Sequence, residues 1–259
     1  MLFAFCYNQT KGSIRLKTIS ILGSGWLGLP LALELSNQYS IKISTRSVDK
    51  LKGLETQNIT PYLVDIDTIS QSIEEFLEAD ILIINIPSKN IEAFKNLVQY
   101  IEKSQIKKLI FISSTSVCRD DKTPLLSIEK IFQNMDRKTT ILRFGGLIGY
   151  GRNPANFFKN NKIVPNPLTP VNMLHRDDCI GIIKEILKQD VFDEVFNCCS
   201  PAHPTKKEFY TYCAISSGLP IPTFDTVENK EGYTIIAVEK LQNKLNYKFI
   251  HPDLMKIKL

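Results

Sequence analysis

One glycine-rich turn, placed between an apolar strand and an apolar helix, constrains the fold of this chain more than any other feature. The turn occupies residues 23–28 (GSGWLG), follows the β-branched run Thr18–Leu22 and opens a helix predicted over Trp26–Leu35. In this context Gly-x-Gly-x-x-Gly is typical of dinucleotide binding. The first glycine makes the tight turn, the second lets the backbone approach a pyrophosphate, and the third lets helix and strand pack closely. The N–H groups that begin the helix then face the phosphates.

Short apolar runs and helical patterns continue to alternate up to residue 145. The predicted strands are Ile41–Thr45, Thr60–Val64, Ile81–Ile86, Leu109–Ser113 and Thr140–Phe144, and the predicted helices are Val48–Leu54, Ile69–Leu77, Ile91–Lys103 and Leu125–Gln133. Strands that are apolar on both faces are typical of a parallel sheet covered by helices. The sequence therefore predicts the α/β class, with a Rossmann-type doubly wound parallel sheet.

The character of the chain changes after residue 145, where Gly, Asn and Pro become frequent. Later elements are predicted at Asp177–Lys188, Glu194–Asn197, Lys206–Ser217 and Val238–Leu245. A length of 259 residues allows one large domain or one domain with a lobe attached. We expect an N-terminal extension over residues 1–16 and an NAD(P)-binding domain over residues 17–150. A smaller substrate lobe over residues 151–259 packs on that domain and contributes some strands to its sheet.

Composition excludes several classes of protein. The 43% hydrophobic and 23% charged residues argue against disorder, and a net charge of +5 gives no support for a nucleic-acid partner. The chain has no run of 18 apolar residues, so no transmembrane helix is expected. The six cysteines form no Cys-x-x-Cys pair, and as buried thiols they indicate a reducing, cytoplasmic compartment. The three histidines, His175, His203 and His251, are far apart and lack ligand spacing, so no metal site is expected.

The end of the second strand indicates which cofactor is bound. A fold that prefers NAD usually carries an acidic residue there for the ribose hydroxyls, whereas this chain has Ser44, Thr45, Arg46 and Ser47. Arg46 suits a planar contact to a 2′-phosphate, and the three hydroxyls suit further polar contacts. The sequence therefore predicts NADP, with NAD as the alternative if Arg46 is simply solvated.

Five segments together resemble the extended short-chain dehydrogenase/reductase superfamily, in its NAD(P)-dependent epimerase/dehydratase branch, and especially the atypical members. The segments are GSGWLG (23–28), DID (65–67), FISSTSV (111–117), LRFGGLIGYGR (143–152) and VNMLHRDD (171–178). The resemblance implies a catalytic role for Ser114 and a small, sugar-like substrate. It also implies cofactor contacts from Gly23, Ser24, Gly25, Trp26, Leu27 and Gly28 at the pyrophosphate, Arg46 at the adenosine, Asp65 and Ile66 beside the adenine, and Asn85, Ile86 and Pro87 on the nicotinamide side.

The chain departs from this superfamily at its acid/base motif, Tyr-x-x-x-Lys. When the acidic residue that follows the motif is aligned with Glu129, Asp121 occupies the Tyr position and Leu125 the Lys position. The residues from 101 to 149 contain no tyrosine that could restore the motif. The usual proton relay is therefore absent.

Tyr150 and Arg152 are further substrate candidates, because the loop that carries them follows the sixth strand, and ligands bind beyond the carboxyl ends of such strands. His175 is placed at the mouth of the substrate cleft, or else it ends a strand while Asp177 caps the next helix. Two functions remain open: an atypical NADP-dependent oxidoreductase, epimerase or dehydratase, and a non-catalytic NADP(H)-binding sensor or regulatory module. The polar outer face of the helix Ile91–Lys103 favours a monomer or weak homodimer.

Overall fold

A computed structural model describes residues 16–69, 72–158, 162–226 and 233–258 of the chain. Residues 1–15 of the expected N-terminal extension lie outside the described residues. The strands are β1 (Thr18–Leu22), β2 (Ser40–Thr45), β3 (Ile59–Leu63), β4 (Ile81–Ile84), β5 (Lys108–Ser114), β6 (Lys138–Phe144), β7 (Gly146–Ile148), β8 (Met173–His175) and β9 (Val195–Cys198). The helices are α1 (Gly28–Leu35), α2 (Val48–Leu54), α3 (Ser72–Phe76), α4 (Ile91–Lys103), α5 (Pro124–Gln133), α6 (Arg176–Gln189), α7 (Lys206–Ser216) and α8 (Glu239–Leu245).

The central sheet has seven parallel strands in the order β3-β2-β1-β4-β5-β6-β9. The chain builds outward from β1 to β3 and then crosses back to place β4 on the other side of β1. This reversal is the topological switch point of a doubly wound sheet, and ligands bind in the crevice beside it. The predicted Rossmann-type fold is therefore confirmed, and β9 extends the sheet with a strand from the C-terminal half.

Both faces of the sheet are covered, because its strands are apolar on both sides. On one face, α1 and α6 bury Leu31 and Ile182 against β1 and β2. On the other face, α4 and α5 bury Phe94 and Phe132 against β4 and β5. Phe132 lies near Phe111 of β5, with ring centroids 4.9 Å apart. This two-layer cover fixes the carboxyl ends of the strands, where the loops carry the candidate site.

A smaller core supports the C-terminal half. It packs Ile148 of β7 and Phe209 of α7 with Leu254 near the end of the chain. No helix in the described part of the chain is long and apolar enough to cross a membrane. The short parallel pair β7 and β8 lies outside the main sheet and leads directly into α6.

Many elements differ from the sequence prediction by one or two residues at an end, and three differences have a physical reason. The first helix begins at Gly28 and not at Trp26, because residues 23–27 form the turn and the last glycine of the motif is the first residue of α1. The helix expected over Ile69–Leu77 is reduced to α3, preceded by a short 3-10 helix over Ile66–Thr68. The pairing of β7 with β8 was not predicted, although a strand ending at His175 was one of the two interpretations, since strands of three residues are too short to show a period.

Candidate functional site

A cleft of about 630 Å³ opens at the carboxyl ends of β1, β2 and β4, beside the topological switch point. It has the position that ligands take in open α/β sheets. Most of the residues predicted to contact a dinucleotide line it, namely Gly23, Ser24, Gly25, Arg46, Asp65, Ile66, Asn85, Ile86 and Pro87. Trp26, Leu27 and Gly28 lie outside its lining, in the turn and the start of α1.

The three glycines of the turn have different physical roles. Gly23 has a φ of +107°, and a Cβ added to it would lie 2.5 Å from the carbonyl oxygen of Asn85. A Cβ on Gly28 would lie 1.8 Å from the carbonyl oxygen of Gly23, so this glycine permits close packing of helix and strand. A Cβ on Gly25 would meet no atom of the described residues within 4 Å. Gly25 therefore borders open space in the cleft, as the approach of a pyrophosphate requires.

The N-terminus of α1 has the features of an anion-binding site. Among the described residues no side chain caps its N-terminus, and its first turn contains no acidic residue. The Ser44 hydroxyl, at the end of β2, accepts a hydrogen bond of 2.8 Å from the backbone N–H of Gly23. This bond fixes the first glycine of the turn, while the free N–H groups and the dipole of the helix favour a negative charge. The residues present thus fit the pyrophosphate of a dinucleotide.

Positive charge lines the same cleft at the end of β2. Arg46 is exposed there, and Lys50, four residues further along in α2, also lines the cleft. Sequence reasoning missed Lys50, because it lies within α2 and not in the loop that carries Arg46. The Thr45 hydroxyl oxygen accepts a 3.1 Å hydrogen bond from the N–H of Ser47, which shapes the loop between the two cations.

The opposite wall of the cleft is held by polar contacts within the loops. Asp65 accepts a 3.1 Å hydrogen bond from the N–H of Asp67, whose carboxylate accepts a 2.7 Å bond from the Asn90 side chain. The N–H of Asn85 donates to the carbonyl of Leu22 at 2.9 Å, which continues the pairing of β1 and β4 into the cleft.

Ser114 lies in a second cleft of about 340 Å³, beyond β5 and β6. Its hydroxyl accepts a 3.1 Å hydrogen bond from the N–H of Ser116 and caps a short 3-10 helix over Thr115–Cys118. The residues that line this cleft are Ser114, Thr115, Ser116, Arg119, Gly145, Gly146, Pro170, Val171, Asn172, Met173, Lys206, Tyr210 and Ile236. Two cations and several hydroxyls therefore share one concave surface.

Lys206 and Tyr210 lie one turn apart on α7 and both line this second cleft. Burial, together with the nearby charge of Arg119, lowers the pKa of Lys206. Burial raises the pKa of Tyr210 to about 12, so its phenol stays protonated at neutral pH. Neither residue was singled out from the sequence, because α7 lies about 90 residues after Ser114 and only the fold brings them together.

Glu129, the residue on which the alignment of the superfamily's motif rests, belongs to a buried ion pair. Glu129 is fully buried in α5, where its carboxylate accepts a 2.6 Å bond from Arg143 and a further hydrogen bond from Ser113. With Glu129 fixed in this way, Asp121 is exposed and Leu125 half-buried, and both lie outside the described linings of the two clefts.

The predicted substrate residues Tyr150 and Arg152 lie beside the glycine turn and outside the described linings of both clefts. The Trp26 indole N–H donates to the carbonyl of Tyr150 at 3.0 Å, and the Arg152 guanidinium lies 4.3 Å from the centre of the Trp26 ring. Arg176 stacks on the Tyr150 ring at 3.7 Å. These contacts connect the turn after β1 with the loop after β7.

His175 is only 6% exposed, and it lies outside the described linings of both clefts. It ends β8 and is itself the cap of α6, since its Nδ1 accepts a 3.3 Å bond from the N–H of Asp177. Asp177, expected to be that cap, instead contacts His251. The premise that the three histidines are far apart is also wrong for two of them, because the His175 and His251 rings are 3.9 Å apart. Burial and the nearby His251 lower the pKa of His175.

Comparison with known proteins agrees with this architecture. No family model matches the chain. Protein YeeZ of Escherichia coli K12 is 29% identical over 269 residues, covering 92% of this chain and 97% of YeeZ. A solved putative NAD-dependent epimerase/dehydratase from Methylobacillus flagellatus has a TM-score of 0.75 at 20% identity, covering 92% of this chain and 94% of that one. The Bordetella bronchiseptica enzyme WbmG, in complex with NAD, has a TM-score of 0.74 at 14% identity, covering 96% of this chain and 94% of WbmG.

This chain has the fold of these two solved structures. The resemblance stated from the sequence is thereby confirmed at the level of the fold. The roles of individual residues rest on the contacts described above.

Proposed function

We propose that this chain binds NADP(H) in the 630 Å³ cleft and uses it on a small anionic substrate in the Ser114 cleft. The observation that carries the proposal is the open space at Gly25, in the same cleft as Arg46 and Lys50. The nicotinamide nucleotide bound by WbmG supports the choice of cofactor class. On this basis the chain is an atypical member of the extended short-chain dehydrogenases/reductases.

Each part of the cleft suits one part of the cofactor. Gly23, Ser24 and Gly25 would hold the pyrophosphate with backbone N–H groups, together with the start of α1. Arg46 and Lys50 would hold the 2′-phosphate that distinguishes NADP from NAD. Asp65 and Ile66 would flank the adenine, and the segment 85–87 would line the nicotinamide side. The nicotinamide, when bound, would supply or accept a hydride.

The Ser114 cleft suits a substrate that carries a carboxylate or phosphate beside a reducible carbonyl. Arg119 and Lys206 supply the positive charge for the anionic group. Ser114 would donate a hydrogen bond to the substrate oxygen, and Tyr210 would supply the proton that the oxygen gains on reduction. A phenol with a raised pKa is protonated at neutral pH, and this state fits donation better than abstraction. With Tyr210 as the proton donor, the proposed direction is reduction.

A non-catalytic NADP(H)-binding module is the second candidate. It is favoured by the alignment predicted from the sequence, which puts Asp121 and Leu125 at the superfamily's Tyr and Lys positions. Both residues lie outside the described linings of both clefts. The two candidates share the cofactor cleft and differ only in whether the Ser114 cleft performs chemistry.

Two measurements test the proposal in sequence. Calorimetric titration of the chain with NADPH and NADH should give about ten- to a hundredfold tighter binding of NADPH, the effect of one charged contact. Equal affinities would contradict the NADP assignment, and no binding of either would contradict the whole proposal. The NADPH complex is then mixed with small aldehydes and ketones that carry a carboxylate or phosphate, and loss of NADPH absorbance is followed. Binding without turnover across this panel would favour the non-catalytic module.

A further inference from the structure

Three potential metal ligands meet behind the glycine turn, outside the two clefts. His175 ends β8, Asp177 lies in the first turn of α6, and His251 belongs to the segment that follows α8. The carboxylate oxygen Oδ2 of Asp177 lies 2.9 Å from Nε2 of His251 and 3.2 Å from Nδ1 of His175. One atom of each residue lies within 4.8 Å of the others. Two imidazoles and one carboxylate therefore converge on one point from three segments of the chain.

The neighbouring residue Asp178 holds His251 in this position. Asp178 is buried, and its carboxylate accepts hydrogen bonds from the N–H groups of Ile250 at 2.7 Å and His251 at 3.0 Å. The Tyr247 hydroxyl donates to the same carboxylate at 3.0 Å. Three donors from residues 247–251 thus fix this segment on Asp178. The contact of His251 with Asp177 therefore forms without a bound ligand.

His175 is fixed from its other side. A Cβ added to Gly149 would lie 2.2 Å from Nε2 of His175, so the glycine allows the ring to pack against the loop after β7. Nδ1 of His175 faces Asp177, and a bound ion would take the place of the 3.3 Å hydrogen bond that Nδ1 accepts from the Asp177 N–H. The nearby Arg176 is engaged elsewhere, since its guanidinium stacks on Tyr150 and donates to the carbonyl of Trp26 at 3.2 Å. The Arg176 guanidinium therefore has partners other than the three ligands.

The donor set is one that zinc and related ions prefer. Zinc takes imidazole nitrogens and carboxylate oxygens at about 2.0–2.2 Å in a tetrahedron, which places neighbouring ligand atoms about 3.3 Å apart. The observed separations from Asp177 Oδ2, 2.9 and 3.2 Å, are close to that spacing. The side chains of Asp177 and His251 are 29% and 24% exposed, so water can reach a fourth position. Three protein ligands with one open position are also typical of sites where metal-bound water reacts.

We propose that His175, Asp177 and His251 bind one divalent first-row transition-metal ion, represented by Zn²⁺. The ion joins the segment after α8 to the end of β8 and the start of α6. Because binding to the folded state alone stabilises it by mass action, the metal raises the melting temperature. The proposal is independent of the cofactor and of any turnover.

The test is calorimetric titration of chelator-treated protein with ZnCl₂. It uses a Cys118→Ser background, since Cys118 is an exposed thiol and thiolates also bind zinc. We expect one Zn²⁺ per chain and a higher melting temperature. His251→Ala should weaken binding at least a hundredfold, and Asp177→Asn should do the same with little change in shape. His203→Ala is the matched control, because it replaces the remaining histidine and should leave binding unchanged.

Co²⁺ in place of Zn²⁺ keeps the test decisive if a variant fails to fold. In the Cys118→Ser protein that carries no change at the site, its visible spectrum should show nitrogen and oxygen ligation, without a thiolate charge-transfer band. The proposal is overturned if the unmodified site binds no Zn²⁺, if His251→Ala or Asp177→Asn binds as tightly as the parent, or if the Co²⁺ spectrum reports thiolate ligands.

Discussion

The hydroxyl of Ser44 accepts a 2.8 Å hydrogen bond from the backbone N–H of Gly23, so the end of β2 holds the first glycine of the turn after β1. Ser44 is 2% exposed, and water could not easily replace its oxygen. We expect Ser44→Ala to lower the free energy of unfolding by about 0.5–1.5 kcal/mol, the net contribution of one hydrogen bond, since the donor residue Gly23 is half-buried at the cleft. Urea denaturation measures this loss. A variant as stable as the wild type would mean that the turn holds its shape without the bond.

The second and third glycines of the turn should respond in opposite ways to the same substitution. Gly25→Ala adds a methyl group that meets no described atom within 4 Å, so it should fold normally and lose dinucleotide binding by steric exclusion. Gly28→Ala places its methyl group 1.8 Å from the carbonyl oxygen of Gly23 and should unfold at a lower temperature. Thermal melts and NADPH titrations of the two variants separate these effects. Unchanged NADPH affinity in Gly25→Ala would contradict the assignment of the cleft.

Arg46 should determine the choice between NADP and NAD. We expect Arg46→Ala to weaken NADPH binding about ten- to a hundredfold and to leave NADH binding almost unchanged, since only NADPH has the extra phosphate. Lys50→Ala should act in the same direction with a smaller effect. Lys52→Ala, on the same helix but outside the cleft lining, is the matched control. If Lys52→Ala weakened NADPH binding as much as Arg46→Ala, the loss of affinity would come from the lower net charge and not from a direct contact with the phosphate.

Glu129 should be essential for stability. Its carboxylate is fully buried and pairs with Arg143 at 2.6 Å, and removal of one partner of such a pair costs about 3–5 kcal/mol. We expect Glu129→Leu to reduce the free energy of unfolding by about this amount. Equilibrium denaturation provides the measurement, with the exposed Glu92→Leu as a control for loss of charge.

Tyr210 should supply the proton if the chain reduces a carbonyl. We expect Tyr210→Phe to lower turnover of any substrate found to react by about a hundredfold or more, the usual contribution of a general acid. The phenylalanine keeps the ring contact with Phe158, so the fold should survive. Since the pKa of Tyr210 is raised from 10.0 to about 12, wild-type turnover should not fall through ionisation of this phenol near pH 10.

Tyr212→Phe, on the same helix, is the control for Tyr210→Phe because its hydroxyl bonds the carbonyl of Ile257 and lies outside the cleft lining. Turnover that survives Tyr210→Phe but is lost in Tyr150→Phe would place the acid beside Trp26 instead.

Local patterns were enough to predict the sheet. β1, α2 and α4 have the predicted bounds, because a buried strand or an amphipathic helix shows its period within a few residues. The cofactor cleft was also predictable, since strand, glycine turn and helix are contiguous. Contacts between distant segments were not predictable from such patterns. His175 meets His251, and Ser114 shares a cleft with Tyr210, only because the parallel crossovers return the chain to the same edge.

Several predictions stay predictions. The division at residue 150, the monomeric or weakly dimeric state and the cytoplasmic location rest on composition and helix faces, which do not specify long-range partners. Arg152 illustrates the reason. Its loop was correctly predicted to lie at the carboxyl ends of the strands. A guanidinium can stack on an aromatic ring as readily as it binds an anion, however, and here it stacks on Trp26.

The purely parallel order of the central sheet has a consequence for how the chain folds. No two neighbouring strands of the sheet can form as a hairpin, and β9 pairs with β6 only after the intervening residues 145–194 have been brought round. Each such closure is opposed by chain entropy before any contact offsets it, so sheets of this kind form slowly. We therefore expect refolding on a slow timescale, with the amide protons of β9 acquiring protection from exchange last.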